Sequence, residues 1–352
     1  MRSKGARSWT WLRRLALGLL TLLVVLGVSG ALFNALAVAH YRRAASPPGK
    51  LYAVNGHLMH LYCAGEGEPT LVLESGMGED FTSWGKIQPV LSNSTRTCSY
   101  DRAGLGWSDP QPGHRDSASI ADQLHELLRQ AGITGPVVLM GHSAGGLHIR
   151  AYASRYSNSV AGLIFVDSSS PTQYRDAPYM AVMSQHSAFE YSAMKTLMTL
   201  GVFRTMGQCT AVPKGLEAYA GWIKANTCVP AQVTAYQREA SDLGSSLSEA
   251  ARTGPYGDLP ILVFSRDTRI PRPPQIPAVI TAVQWQQAEA AHDAQQEAIK
   301  QLSTHGRRII ATGSAHYIQL ERPDLLNREV AAFMREVHAG SKQGDNVSTI
   351  YE

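Results

Sequence analysis

The chain begins with one long apolar run and then changes to short apolar runs separated by amphipathic stretches. From Leu15 to Phe33 no residue is charged. At about 1.5 Å of rise per residue, such a run forms a helix nearly as long as a ~30 Å hydrocarbon core is thick. After Lys50 the segments HLMHLYCAG, TLVLES, TRTCSYD, PVVLMGHS, AGLIFVDSS, LPILVFSRD and RRIIATGS read as strands. Several are continuously apolar, as strands covered on both faces are. Between them lie helical patterns such as SIADQLHELLRQAG, with apolar spacing near 3.6 and a glycine stop. Strands alternating with helices predict a mostly parallel sheet with helices on both faces.

One interval breaks the alternation. Between AGLIFVDSS and LPILVFSRD lie roughly ninety residues with no strand pattern, too many for an ordinary connection. They carry Tyr174, Tyr179, Met180, Met183, Phe189, Tyr191, Met194, Met198, Phe203, Met206, Trp222 and Tyr236. The interval, residues 168–258, reads as an inserted helical cap. Its Met and aromatic positions form either the cap's own core or, in part, the wall of an apolar pocket.

Charge changes the picture at the N-terminus only. The net charge of +4 comes from the first fifty residues, which hold Arg2, Lys4, Arg7, Arg13, Arg14, Arg42, Arg43 and Lys50 and no acid. The remainder has 24 basic against 28 acidic residues, so nothing argues for a nucleic-acid partner. Five basic residues precede the apolar run and three follow it, and Trp9 and Trp11 lie where interfacial aromatics sit. The expected layout is a basic cytoplasmic segment (1–14), a transmembrane signal anchor (15–39) and a linker (40–50) containing Pro47 and Pro48. A globular core (51–167 and 259–338) follows outside the cytoplasm, and a disordered polar tail (339–352) ends the chain. The alternative is secretion after cleavage near Ala39, because Ala37-Val38-Ala39 resembles an A-x-A site. Asn93 and Asn346 head N-x-S/T sequons.

The chemistry concentrates around Gly141-His142-Ser143-Ala144-Gly145, a G-x-S-x-G sequence between the strand PVVLM and the helical LHIRAYASRY. A serine on a sharp strand-to-helix turn is held clear of the sheet, and the turn closes only if its neighbours are small. The helix that follows points its N-terminus at the same spot, so the Ala144 amide can stabilise an oxyanion.

On these residues, together with Tyr100–Asp109 (YDRAGLGWSD) and Leu73–Gly78 (LESGMG), the chain resembles the α/β-hydrolase family over most of residues 51–338, in its capped serine-esterase branch. The resemblance implies a mostly parallel eight-stranded sheet with a helical cap. It implies His316, after the last strand, as the base for Ser143, and the Met77 amide as second oxyanion donor, with Gly76 allowing the turn. Many relatives have His-Gly where this chain has Ser75-Gly76. The acid is expected at Asp267, after the penultimate strand, with Asp167 at the end of AGLIFVDSS as the alternative. His142, His292 and His305 are expected in surface or packing roles, and Asp101 with Arg102 as an ion pair bracing a loop.

Cys63, Cys98, Cys209 and Cys228 by themselves leave three pairings, or free thiols, open. No zinc-ligand spacing occurs among them, so no metal is expected. The family's strand order makes the strands of Cys63 and Cys98 neighbours, which implies disulfides 63–98 and 209–228. The expected activity is cofactor-independent hydrolysis of small-molecule esters, with membrane association through the N-terminal helix. An aminopeptidase or amidase would need acidic cap residues, for which Glu190, Glu217, Glu239 and Asp242 are available. A non-catalytic ligand-binding module is the remaining reading.

Overall fold

The computed structural model describes residues 4–178, 187–274, 276–340 and 349–351; Arg2, Tyr179, Met180, Met183 and the Asn346 sequon lie outside them. The chain divides into two compact units, Met1–Ser46 with Ala188–Pro230, and Pro47–Ser187 with Ala231–Glu352.

The strands are β1 (Lys50–Val54), β2 (His57–Ala64), β3 (Thr70–Glu74), β4 (Thr97–Tyr100), β5 (Val137–His142), β6 (Val160–Val166), β7 (Ile261–Arg266), β8 (Gly306–Ala311) and β9 (Thr349–Tyr351). The longer helices are α1 (Lys4–Ala44), α2 (Ser117–Gln130), α3 (Gly145–Arg155), α4 (Ala188–Thr199), α5 (Pro230–Ala250), α6 (Ala282–Lys300) and α7 (Pro323–His338).

In the larger unit the strands form one sheet in the order β1-β2-β4-β3-β5-β6-β7-β8-β9. The pairs β1–β2 and β2–β4 are antiparallel and the rest parallel. Among the described residues the sheet thus has nine strands where eight were expected. The extra one is the end of the tail, where Thr349, Ile350 and Tyr351 pair with Arg308, Ile309 and Ile310.

The apolar runs explain the layering. Successive side chains of a strand point to opposite faces. Val137 and Leu139 of β5 accordingly pack on one side with Leu124 and Leu127 of α2 and Ile149 and Tyr152 of α3. Val138 and Met140 pack on the other with Trp84 and with Leu325, Leu326 and Val330 of α7. Each fully buried aliphatic side chain contributes roughly 1.5–3 kcal/mol. Helix α2 starts where the Asp116 carboxylate accepts the Ser119 amide at 2.9 Å. Cys63 and Cys98 face each other across the β2–β4 pair and form a disulfide, with Cα atoms 4.0 Å apart.

Helix α5 departs from the expected cap. It belongs to the larger unit, burying Leu243, Leu247 and Ala250 with Leu147 of α3. Its Glu239 is 4% exposed and bonds to Arg102 and Arg115. The interval 168–258 is therefore not one inserted body.

The smaller unit joins α1 to residues 188–230. Helix α1 continues to Ala44, through residues 40–44 of the expected linker. Its residues from Trp9 to Leu26 are exposed, whereas Gly27, Gly30, Ala31, Asn34, Ala37, Val38 and Tyr41 are covered, a stripe at helical spacing. A Cβ on Gly30 would lie 2.2 Å from the Leu200 carbonyl oxygen, so glycine is required for this approach. Asn34, 3% exposed, accepts the Arg204 Nε–H at 2.8 Å and donates to the Cys228 carbonyl at 3.4 Å. Cys228 is bonded to Cys209, their Cα atoms 5.5 Å apart.

Candidate active site

The site forms at the carboxyl ends of β3, β5, β6 and β8, where open parallel sheets gather functional groups. Ser143 follows β5 directly, with φ of +52°. A non-glycine residue in the left-handed region costs about 1–3 kcal/mol, so the surroundings must enforce it. They do so through two backbone bonds, from the Ser143 amide to the Val166 carbonyl (3.1 Å) and from the Ser169 amide to the Ser143 carbonyl (2.9 Å). The flanking glycines leave no alternative. A Cβ on Gly141 would sit 2.6 Å from the Gly145 carbonyl oxygen, and one on Gly145 2.6 Å from that of Glu74.

His316, in the loop after β8, places Nε2 3.1 Å from Ser143 Oγ and Nδ1 2.6 Å from Asp167 Oδ2. A carboxylate facing Nδ1 keeps the proton there, which leaves Nε2 free to accept the serine hydroxyl. The carboxylate that meets His316 is thus Asp167, the alternative position, and not Asp267, the favoured one. Asp267 faces other partners: it accepts Arg269 Nε–H at 2.7 Å and the Gly313 amide at 3.0 Å, which with the nearby Arg269 charge lowers its pKa to about 2. Asp167, with φ of +41° at the end of β6, turns its carboxylate toward the imidazole instead.

Asp167 is held by more than His316. Its Oδ1 accepts His292 Nε2–H (2.8 Å) and the Arg266 amide (2.9 Å), and its Oδ2 accepts Arg266 Nη1–H (3.0 Å). Burial alone would raise this carboxyl, but His292 and Arg266 outweigh it and hold the group well below the usual range. Glu289 pairs with Arg266 at 2.9 Å. His142, like His292, was expected in a surface or packing role. It is fully buried, donates Nε2–H to the His316 carbonyl at 3.1 Å and lies 3.3 Å from Glu79 through Nδ1. Burial lowers the His142 pKa, yet the Glu79 carboxylate more than compensates and raises it. His305 stays at the start of β8, where its carbonyl accepts the Ile261 amide.

The loop after β3 brings Met77 to the same cavity as Ser143, Ala144 and His316. Among the described residues, neither the Met77 nor the Ala144 amide has a hydrogen-bond partner. Arg102 fixes this loop. It donates to the Ser75 carbonyl (2.8 Å) and the Gly76 carbonyl (2.7 Å), and to Glu239 from Nε (2.8 Å) and Nη2 (2.9 Å). Arg102 therefore braces a loop as expected, but its acids are Glu74 and Glu239, while Asp101 accepts the Phe81 and Trp107 amides and contacts His60. Burial would raise the Glu239 carboxyl, but Arg102 and Arg115 bring it down to about 2.

We expect Glu239→Gln to destabilise the fold by about 3–5 kcal/mol, because it removes one of the two carboxylates paired with the buried Arg102 and the carboxylate paired with the buried Arg115. Equilibrium urea unfolding checks this. The sign with pH follows from the depressed value. The stabilisation is complete above the ordinary glutamate range of about 4.3 and is lost as pH falls toward 2.

The cavity above Ser143 has a volume of about 470 Å³. Its apolar wall comes from Ile270, Pro271, Pro273 and Ile276 after β7, Trp285 of α6 and Leu243 of α5, and its polar side from Arg266, Glu289, His292 and Gln295. Of the Met and aromatic positions singled out between 168 and 258, Tyr174 lines it. Nothing in the local pattern around His292, Glu289 or Glu79 marks them, since the first two reach the site from α6 and Glu79 from the loop after β3, both remote from Ser143 in sequence.

A sequence profile described as alpha/beta hydrolase fold matches residues 69–193. An uncharacterised protein of Schizosaccharomyces pombe is 31% identical over 172 residues, which is 40% of this chain and 32% of that protein. The chain thus spans about a third of that relative's length. An AB hydrolase superfamily protein of Gibberella zeae is 25% identical over 291 residues, 77% of this chain and 87% of the relative. Among solved structures, a thermophilic esterase from Thermogutta terrifontis superposes with a TM-score of 0.52 at 21% identity, covering 83% of this chain and 100% of the esterase. Sheet order, profile match and structural neighbours agree: this chain has the alpha/beta hydrolase fold.

Proposed function

We propose that the chain is a serine hydrolase that cleaves carboxylic esters of apolar small molecules through an acyl-enzyme on Ser143. The observation that carries this reading is the unbroken line from Ser143 Oγ through His316 to Asp167, opening into a mainly apolar cavity. Ser143 Oγ attacks the carbonyl carbon as its proton passes to His316 Nε2. The Met77 and Ala144 amides receive the oxyanion, each such donor being worth roughly 3–4 kcal/mol. Collapse breaks the ester C–O bond, and His316 returns the proton to the departing alcohol. Water then attacks the acyl carbon, gives its proton to His316, and releases the acid as the proton returns to Ser143.

An aminopeptidase would need a carboxylate in the cavity for the substrate's amino terminus. Glu239 is occupied by two arginines and the Gly78 amide, and Asp242 accepts the Arg115 amide at 2.6 Å. Neither these nor Glu190 or Glu217 lines the cavity, and the carboxylates that do, Asp167, Asp267 and Glu289, are each paired with an arginine. The test is a fluorophosphonate probe followed by matched ester and aminoacyl-amide panels. Labelling at Ser143 with ester turnover is the expected result. A folded, unlabelled protein would point to a ligand-binding module, and preferential amide turnover to an amidase.

We further read α1 as a single-pass anchor with the N-terminus in the cytoplasm and the hydrolase outside. Ala37–Ala39 lies within continuous helix and is partly covered, which favours retention of α1 over cleavage.

The pH dependence follows from His316. Burial lowers its pKa below the ordinary 6.5, Asp167 partly offsets this, and His142 and Arg266 lower it further. The base must be neutral, so kcat/KM is expected to rise with pH along an acid limb whose midpoint lies below 6.5. A pH–rate profile checks this, and a midpoint above that value contradicts it.

A further inference from the structure

The segment Leu197–Met206, which joins α4 to the rest of the smaller unit, is placed and composed for lipid. Its depth follows from α1. A span that begins after Arg14 needs about 20 helical residues to cross a ~30 Å core, which carries it to Asn34. The segment packs on the final part of that span. A Cβ on Gly27 would lie 3.6 Å from the Leu200 side chain, Gly30 meets the Leu200 carbonyl, and Asn34 bonds Arg204. The other end of the unit is tied about 20 Å further along the helix, where Trp222 donates to the Ser46 carbonyl at 2.8 Å and Arg42 to the Ala225 carbonyl at 3.4 Å. The unit therefore runs along α1, with Leu197–Met206 at the bilayer end.

Its composition matches that depth. Leu197, Leu200 and Met206 are 42%, 36% and 64% exposed. Its one charge, Arg204, is 8% exposed and turned inward, with the guanidinium 5.8 Å from the Tyr41 ring centroid. The exposed hydroxyls are already satisfied, Thr199 by the Lys195 carbonyl and Thr205 by the Val202 carbonyl, both at 2.8 Å. An outward surface without charge or unmet hydroxyl donors enters an apolar medium at little cost.

We propose that Leu197–Met206 is a membrane seat, inserted into the outer leaflet beside α1 with its apolar side chains against lipid acyl chains. The proposal rests on the reading of α1 as an anchor. All four cysteines are in disulfides, so a single introduced cysteine can be labelled selectively. The full chain is reconstituted into phosphatidylcholine vesicles with an environment-sensitive nitrobenzoxadiazole dye at Met206→Cys, or at Leu197→Cys as a second reporter. Leu20→Cys in the span and Ala218→Cys at the far end of the unit serve as references. Adding 5-doxyl-phosphatidylcholine is expected to remove most of the emission at 206, 197 and 20 and little at 218. Quenching at 20 without quenching at 206 and 197 overturns the seat and leaves the anchor standing. No quenching at 20 overturns the anchor, and the seat with it.

Discussion

Ser143→Ala is expected to lower kcat by on the order of 10⁶ while the protein stays folded. Alanine retains the Cβ that the elbow already accommodates at φ +52° and removes only Oγ. The two backbone bonds that enforce the turn do not involve the side chain. What disappears is the atom that forms the new bond, so the loss falls on turnover rather than stability. Steady-state ester hydrolysis with a parallel thermal melt measures both. If most of the turnover survives, another nucleophile operates and the acyl-enzyme scheme is wrong.

The second large effect separates two aspartates. Asp167→Asn is expected to lower kcat by about 10⁴, because an amide facing Nδ1 favours the wrong imidazole tautomer and no longer balances the developing imidazolium. Asp267→Asn is expected to leave kcat within about tenfold, since that carboxylate serves Arg269 and the Gly313 amide, and indirect changes in positioning act only through the loop. Kinetics of the two variants side by side decide the matter. The reverse order would assign the acid to the loop after β7.

This pair also shows where sequence reasoning stops. Ser143 was legible because glycines, strand and helix all lie within a dozen residues and each is required by the close approach of backbone to backbone. His316 was legible as the histidine directly after the last core strand. The choice between Asp167 and Asp267 was not, because both end apolar strands and neither local pattern records which way the carboxylate turns. That direction is set by Arg266 and His292, which approach from β7 and α6. The strand alternation in the core was readable from continuous apolar runs, whereas β9 is polar in its neighbourhood and exists through pairing with β8. The partition of residues 168–258 was equally hidden. It depends on Glu239 meeting Arg102 in one unit and Gly30 meeting Leu200 in the other, contacts between residues more than a hundred positions apart.

With Asp167 as the proposed acid at the end of β6, the proton relay lies apart from much of the cavity wall, which bears on how such a chain can diversify. Ile270, Pro271, Pro273 and Ile276 supply much of the cavity's greasy wall yet contribute nothing to the proton relay, and the Arg269–Asp267 pair pins the root of their stretch. Insertions, deletions or wholesale exchange there can retune which acyl or alcohol groups fit while leaving the reacting groups in register. On the proposed ester-hydrolase reading, selectivity and chemistry reside in separable portions of the polypeptide, and a library confined to that stretch is expected to yield altered substrate profiles at undiminished intrinsic reactivity.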